Sequence, residues 1–394
     1  MFKYFNPEWV EINIDNVIHN IREIRRVAKS KEIISVVKAD AYGHGAVELA
    51  PILLENGADR LAVALLSEAL QLRKSGIKAP ILIFGYTPLK YGKDISHNNA
   101  EDIINNELEV TVLSYDYAKK LSKVAKKLNK NVKIHINVDT GMGRIGFLPT
   151  TQSVEDIYKI SQLPNIIIEG LYSHFSTADE KDKSYSNKQF KRYLDFYKRL
   201  EKKDIKINIK HMANSAALID LPYTHLDAVR PGIANYGYYP SEDVNHDIID
   251  LKPTMTLKCN VVASRKLKAG SYIGYGRTFR TERTSKIATL GIGYADGYDR
   301  RLSNVGEIVV KGKVAPIVGR ICMDMCMSDV TDIDDIKVSD EVILIGESSS
   351  EKTTVENMAK LTGTIPQEIT SNISKRVPRH YIKDNKLVKI VYRE

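Results

Sequence analysis

From about residue 32 to residue 240, short runs of β-branched and aliphatic residues alternate with longer stretches whose apolar residues recur at helical spacing. A strand followed by a crossover helix pairs in parallel with the next strand, so this rhythm constrains the chain to repeated βα units around a buried parallel sheet. Candidate strands begin near Ile33, Arg60, Ile81, Glu109, Val132, Ile166, Ile207 and Ala228. About eight such units predict a closed (β/α)8 barrel of the TIM type. Beyond Pro240 the period changes. LKCNVVASRKL, KIATLGIGYA, EIVVKGKVAPIVGRICM and EVILIGE read as short strands separated by Gly, Asp and Asn turns, which predicts a mostly-β domain. The expected fold class is α/β, with a barrel domain over residues 1–245 and a mostly-β C-terminal domain over 246–394. The early segment WVEINID is expected to pack against the second domain, and Ser348 to Ser350 read as a loop.

At 394 residues the chain has room for a barrel of about 250 residues and a smaller partner. A net charge of +9 raises the question of nucleic acid or membrane, but the lysines and arginines are dispersed. Their densest stretches, Lys119 to Lys133 and Lys181 to Lys210, are interleaved with apolar residues at helical spacing and read as solvated helix faces. Cys259, Cys322 and Cys326 are odd in number and lack CxxC spacing, which points to a reducing cytoplasm and to neither a disulfide framework nor a zinc site. The opening MFKYFNPEWVEINID is broken by charge, so neither a signal peptide nor a spanning segment is expected.

In a TIM barrel the chemistry gathers at the C-terminal ends of the strands. There the sequence is unusually polar. Lys38 follows ISVV, Asp139 and Arg144 follow IHINV, His174 follows IEGLYS, Asn214 and Ser215 follow IKHMA, and Arg230 follows LDAV. Partial desolvation would lower the pKa of a lysine at such a tip and favour a Schiff base, although a strand-end lysine is ordinarily a solvated tip. The glycine-flanked arginine in GMGRIG suits a carboxylate or phosphate, and a structural ion pair equally well. ANSAA and RPGIANYG place small polar groups and a glycine turn before short helices, where they could cradle a phosphate or simply cap.

Taken in order, VVKADAYGHG, VDTGMGRIGF, GLYSHFSTADE, HMANSAA, VRPGIANYG, IGYGRTF, GYADGY and VGRICMDMCM resemble alanine racemase from about residue 8 to residue 381. The resemblance implies pyridoxal 5′-phosphate (PLP) carried on Lys38, which also serves as one base on the substrate α-carbon. It implies a second base, the partner subunit's Tyr275, in a homodimer with shared active sites, and a role for His174 in hydrogen-bonding that phenol. Arg230 matches the arginine that faces the pyridine nitrogen. Tyr42, Asn214, Ser215, Gly232 and Ile233 match phosphate-side positions. Arg144 and the Met323 backbone match the groups that receive the substrate carboxylate, Tyr294 lies near the substrate's way in, and Asp324 has a structural or gate-forming place. The implied substrate is L- or D-alanine, and the implied role is D-alanine supply for peptidoglycan.

Two positions depart from the family pattern. Asn137 stands where many relatives have a carbamylated lysine that orients the arginine, so Arg144 needs another anchor, for which an anion such as chloride would serve. Gln367 stands where a tyrosine usually narrows access to the substrate, and its amide adds room and a hydrogen-bonding group, keeping serine or broad-specificity racemisation open. A PLP-dependent decarboxylase of similar plan lacks the Tyr275 and ICMD segments, and a single-domain PLP-binding homeostasis protein lacks the β domain.

Overall fold

The computed structural model describes residues 5–89, 98–347 and 351–393, so the serine run at 348–350 lies outside the described residues. They form two compact units: one holds Val17–Ala41 and Ala46–Lys252, and the other holds the residues up to Asn16, Tyr42–Gly45 and those from Pro253 on. The first strand, β1 (Glu8–Asn13), belongs to the second of these.

The first unit is a closed barrel of eight parallel strands: β2 (Glu32–Val36), β3 (Arg60–Val63), β4 (Ile81–Ile83), β5 (Glu109–Val112), β6 (Val132–Asn137), β7 (Ile166–Tyr172), β8 (Ile209–His211) and β9 (Ala228–Val229). It closes where Glu32 and Ile33 of β2 pair with Ala228 and Val229 of β9. Seven strands begin at or within one residue of the position expected from the sequence, and β8 begins two residues later, at Ile209. Runs such as IISV in β2 and EVTV in β5 are buried along their whole length, as strands between barrel interior and helices must be. The helices are anchored by their ends: Ser114 caps Tyr115–Lys127 by accepting the Tyr117 N–H, with Asp116 in the first turn and Lys126 and Lys127 in the last, matching the helix dipole. That helix buries Tyr117, Leu121 and Ala125.

The second unit is a β assembly of β1, β10 (Met255–Leu267), β11 (Tyr272–Ile273), β12 (Phe279–Arg280), β13 (Ser285–Leu290), β14 (Glu307–Val310), β15 (Lys313–Pro316), β16 (Cys326–Asp329), β17 (Glu341–Glu347), β18 (Lys352–Thr353), β19 (Arg379–Lys383) and β20 (Lys386–Val391). Its main sheet runs β15-β14-β17-β10-β1-β19-β20. The segment expected to join this domain does so from the middle: β1 pairs antiparallel with β10 and parallel with β19. Alternation along EWVEIN buries Val10 and Ile12 with Glu8.

Candidate active site

The barrel unit brings eight of the expected residues to the C-terminal ends of its strands. Lys38 lies two residues beyond β2, Arg144 in the loop after β6, His174 two residues beyond β7, Asn214 and Ser215 after β8, and Arg230, Gly232 and Ile233 after β9. The polar tips follow from strand direction, since every parallel strand delivers its last residues to the same rim.

The Lys38 amine is largely withdrawn from water. Burial, and then the nearby Arg144 charge, pull its pKa below the ordinary lysine value, while Glu68 opposes them. The chain leaves β2 through a left-handed turn: Ala39, Asp40 and Ala41 have φ/ψ near 49/47°, 54/50° and 55/48°. The Ala41 N–H donates to the Val37 carbonyl at 2.9 Å. Left-handed backbone costs an L-residue roughly 1–2 kcal/mol, so fixed partners hold it. Glu68 accepts from the Ala39 N–H at 2.6 Å with one oxygen and from Ala64 and Leu65 with the other, and Asp40 accepts from the Ala46 N–H at 2.8 Å.

Arg144 extends from the loop that Asp139 shapes by accepting the N–H groups of Gly141, Met142 and Gly143. Its guanidinium is exposed and has no carboxylate partner among the described residues, which leaves it free for an anionic ligand. Asn137 ends β6, 5% exposed, with its side chain bonded to Tyr172.

Arg230 is 3% exposed, and burial brings its guanidinium down to about 10, so it is still a cation at neutral pH. It donates to the Ser173 carbonyl at 2.8 Å and to the Met212 carbonyl at 3.2 Å, and lies over the Tyr172 ring at 5.3 Å. It also meets His211 Nδ1 at 3.0 Å and His174 Nδ1 at 3.2 Å. A guanidinium only donates, so both Nδ1 atoms accept. Burial and the charges of Arg230, Arg144 and Lys38 push His174 down to about 3, so it is neutral, with its one proton on Nε2. His174 thus keeps an N–H donor on Nε2.

Beside them on the rim, the Ser215 hydroxyl accepts the N–H groups of Gly232 at 2.9 Å and Ala234 at 3.3 Å, joining the loops after β8 and β9. Asn214 caps the short helix Ser215–Asp220 through the Ala217 N–H.

The β unit carries the other six. Burial pushes the Tyr42 phenol up to about 12. Tyr275 stands 69% exposed on a tight turn whose flanking Gly274 and Gly276 have φ of 67° and 71°. Tyr294 is 42% exposed, its N–H bonded to the Cys322 carbonyl, and the Met323 carbonyl accepts from Ala295 at 2.9 Å. Asp324 pairs at 2.6 Å with Arg376, which also holds the buried Asp296. Gln367 lies in the helix Pro366–Ser371 with its Oε1 shielded from solvent and without a hydrogen-bond partner among the described residues.

Sequence reasoning missed the polar interior of the barrel, where Arg60, Glu109, His135, His211 and Tyr172 are bonded to one another or to Arg230. The available signal was the period-2 placement of polar residues inside strands, Glu109 with Thr111 and His135 with Asn137.

The family model described as alanine racemase, N-terminal domain, matches residues 12–240, and the one described as alanine racemase, C-terminal domain, matches residues 254–381. The chain is 56% identical to alanine racemase 1 of Clostridium acetobutylicum over 390 residues, 99% of each chain. Among solved structures it is similar to alanine racemase of Clostridium difficile 630 (43% identity, TM-score 0.93, 99% of both chains) and to that of Bacillus anthracis with bound L-Ala-P (37%, 0.91, 99% of both). It also resembles alanine racemase from Bartonella henselae with covalently bound pyridoxal phosphate (31%, 0.83, covering 95% of this chain and 99% of that one).

Proposed function

Since the chain belongs to the alanine racemase family, isomerases of amino acids, we propose that it interconverts L- and D-alanine with PLP joined to Lys38. The observation that carries this reading is the cation set at the barrel rim: Lys38, Arg144 and Arg230 together act on His174, and neither arginine has a carboxylate partner among the described residues. Such a surplus fits a ligand that brings a phosphate, a carboxylate and a carbonyl for the Lys38 amine. Ser215, Asn214 and the Gly232 and Ile233 backbone would hold the phosphate with Tyr42, and Arg230 would face the ring nitrogen. When bound, the cofactor supplies an electron sink that acidifies the substrate Cα–H.

The residues of the chain do the rest. Lys38 Nζ, its pKa lowered by burial, takes or returns the proton on one face of the substrate. On the opposite face the hydroxyl of the partner subunit's Tyr275 does the same, in a homodimer with shared sites. The His174 Nε2–H donates to that phenol oxygen, which favours its deprotonated form. Arg144 and the Met323 backbone receive the carboxylate, with Tyr294 and Asp324 at the approach. Arg230, a cation that keeps its own protons, disfavours a protonated ring nitrogen and limits transamination; Arg230→Glu is expected to lose racemase activity and gain that side reaction.

Borohydride reduction followed by peptide mapping tests the core of the proposal: the label belongs on Lys38, and a label elsewhere or nowhere defeats it. Mixing Lys38→Ala with Tyr275→Phe tests the shared site, since random exchange of two-fold dimers restores about a quarter of the activity if each site takes one residue from each subunit.

A second reading within this chemistry, serine as a further substrate, is favoured by the buried Gln367 Oε1, an acceptor that lacks a donor among the described residues. Comparing kcat/KM for L-alanine and L-serine decides it. No helix among the described residues is long and apolar enough to cross a membrane, and Cys259, Cys322 and Cys326 are free, which suits a cytoplasmic enzyme that supplies D-alanine to peptidoglycan.

A further inference from the structure

The barrel interior holds a polar system that the reaction above leaves unused. At the N-terminal ends of the strands, Arg60 bonds to Glu32, to Glu109 Oε1 at 2.7 Å and to Glu169 at 2.9 Å. The second oxygen of Glu109 meets His135 Nε2 at 2.9 Å, His135 Nδ1 meets His211 Nε2 at 2.9 Å, and His211 Nδ1 meets Arg230 at 3.0 Å. Four consecutive groups thus form a line of hydrogen bonds through the barrel from the strand starts to the rim, and none is more than 3% exposed.

The protons on this line are determined. Arg230 can only donate, so His211 Nδ1 accepts. Burial, and then Arg230, keep His211 well below its ordinary pKa, so it is neutral and its single proton sits on Nε2. That proton points at His135 Nδ1, which must accept, leaving the His135 proton on Nε2, aimed at the Glu109 carboxylate. A protonated His135 would set two donors against each other along the line. Burial raises the Glu109 carboxyl, but the His135 hydrogen bond and the charges of Arg60 and Lys133 lower it, and with Arg60 bonded to its other oxygen the group is held as the anion.

The fold makes room for these rings. A Cβ on Gly170 of β7 would lie 2.1 Å from His135 Nδ1, and the pairing of β6 with β7 shifts register between Ile134 and His135. The Tyr172 ring stacks on His211 with centroids 5.0 Å apart and planes 9° from parallel, while its hydroxyl is tied to Thr111 at 2.9 Å.

We propose that Glu109, His135 and His211 are positioning residues for Arg230: their one-way line of donors fixes the guanidinium and brings the negative charge of Glu109 to bear on it from the far end of the barrel. This rests on the reading that places Arg230 at the cofactor. None of the three is assigned to the substrate, so their loss should appear in turnover rather than in substrate binding.

The experiment compares holoenzyme carrying Glu109→Gln with Glu169→Gln, which removes a carboxylate from the same Arg60 but lies off the line. Glu109→Gln is expected to lower kcat about 10- to 100-fold with KM for alanine within about twofold, and to raise side transamination of the cofactor. Glu169→Gln is expected to lower the melting temperature comparably and to leave kcat within about twofold. Equal kcat for the two variants overturns the proposal. Should Glu109→Gln fail to fold, His211→Asn, whose Oδ1 can stand in for the Nδ1 acceptor while its shorter amide falls short of His135, must show the same kcat loss or the proposal falls. Independently, nitrogen-15 NMR of the histidine side chains in unaltered holoenzyme should show His135 and His211 as Nε2–H tautomers from about pH 6 to 8; a proton on either Nδ1 overturns the line of donors. Failure of the unaltered chain to racemise alanine would instead sink the functional reading, and the tautomer result would stand apart from it.

Discussion

Arg230 shows how one side chain sets the protons around it. Four partners, two carbonyls and two imidazole nitrogens, are held by a planar fork that a single ammonium cannot reproduce. Arg230→Lys should therefore lower kcat at least about 100-fold and cost about 2–4 kcal/mol of stability, by leaving buried acceptors unpaired, as racemisation and thermal melts will read. Glu8 makes a different point. Burial, then the charge of Asp296, raise its carboxyl from 4.5 to about 7 in the folded protein. Below pH 4.5 it is protonated folded or unfolded and costs nothing; between 4.5 and 7 the folded form holds the extra proton, so stability falls as pH rises through that window. Glu8→Gln should accordingly raise the melting temperature at pH 8, by an amount equivalent to about 1–3 kcal/mol, and have little effect near pH 4.5. At this scale the rim residues were legible because a polar group directly after an apolar run stands out. The interior ones were hidden, because Glu109 and His135 sit inside runs that read as strand and only the closed barrel shows them meeting.

At the scale of elements, strand positions were legible because burial on both faces demands continuous apolar runs, and only β8, with polar Lys210 at its centre, began later than expected. The hand of the turn after Lys38 was not legible. No glycine precedes Gly43 in KADAYG, yet Ala39 to Tyr42 all have positive φ, imposed by Glu68 and Asp40 rather than by local preference. Exposed Ala39 is the place to test this. Ala39→Gly removes about 1–2 kcal/mol of steric cost against about 0.5–1 kcal/mol of added chain entropy, so the melting temperature should hold or rise slightly. Ala39→Val, β-branched, should lower stability by about 2 kcal/mol. Equal melting temperatures for the two variants would show that the turn carries no strain.

At the scale of the whole molecule, the β unit is assembled from distant stretches of chain, with β1 inside its main sheet between β10 and β19. The sequence suggested that WVEINID joins this unit; that it lies in the interior of the sheet could not be read, because alternation fixes a strand's faces and not its neighbours. Residues 253–394 expressed alone should therefore lack a cooperative melt, and adding β1 as a fused segment should restore one.

The register that pairs Ile12 with Met255 also sets a schedule. During synthesis, at about 5–20 residues per second, EWVEIN leaves the ribosome some tens of seconds before β10 and longer still before β19. For that interval a strand with Val10 and Ile12 on one face is an unpaired template for any neighbour in the same condition. Glu8 and Glu11 put two like charges on each such copy, and like charges opposite one another disfavour strand pairing, so the carboxylate that weakens the finished sheet at neutral pH also weakens that mispairing.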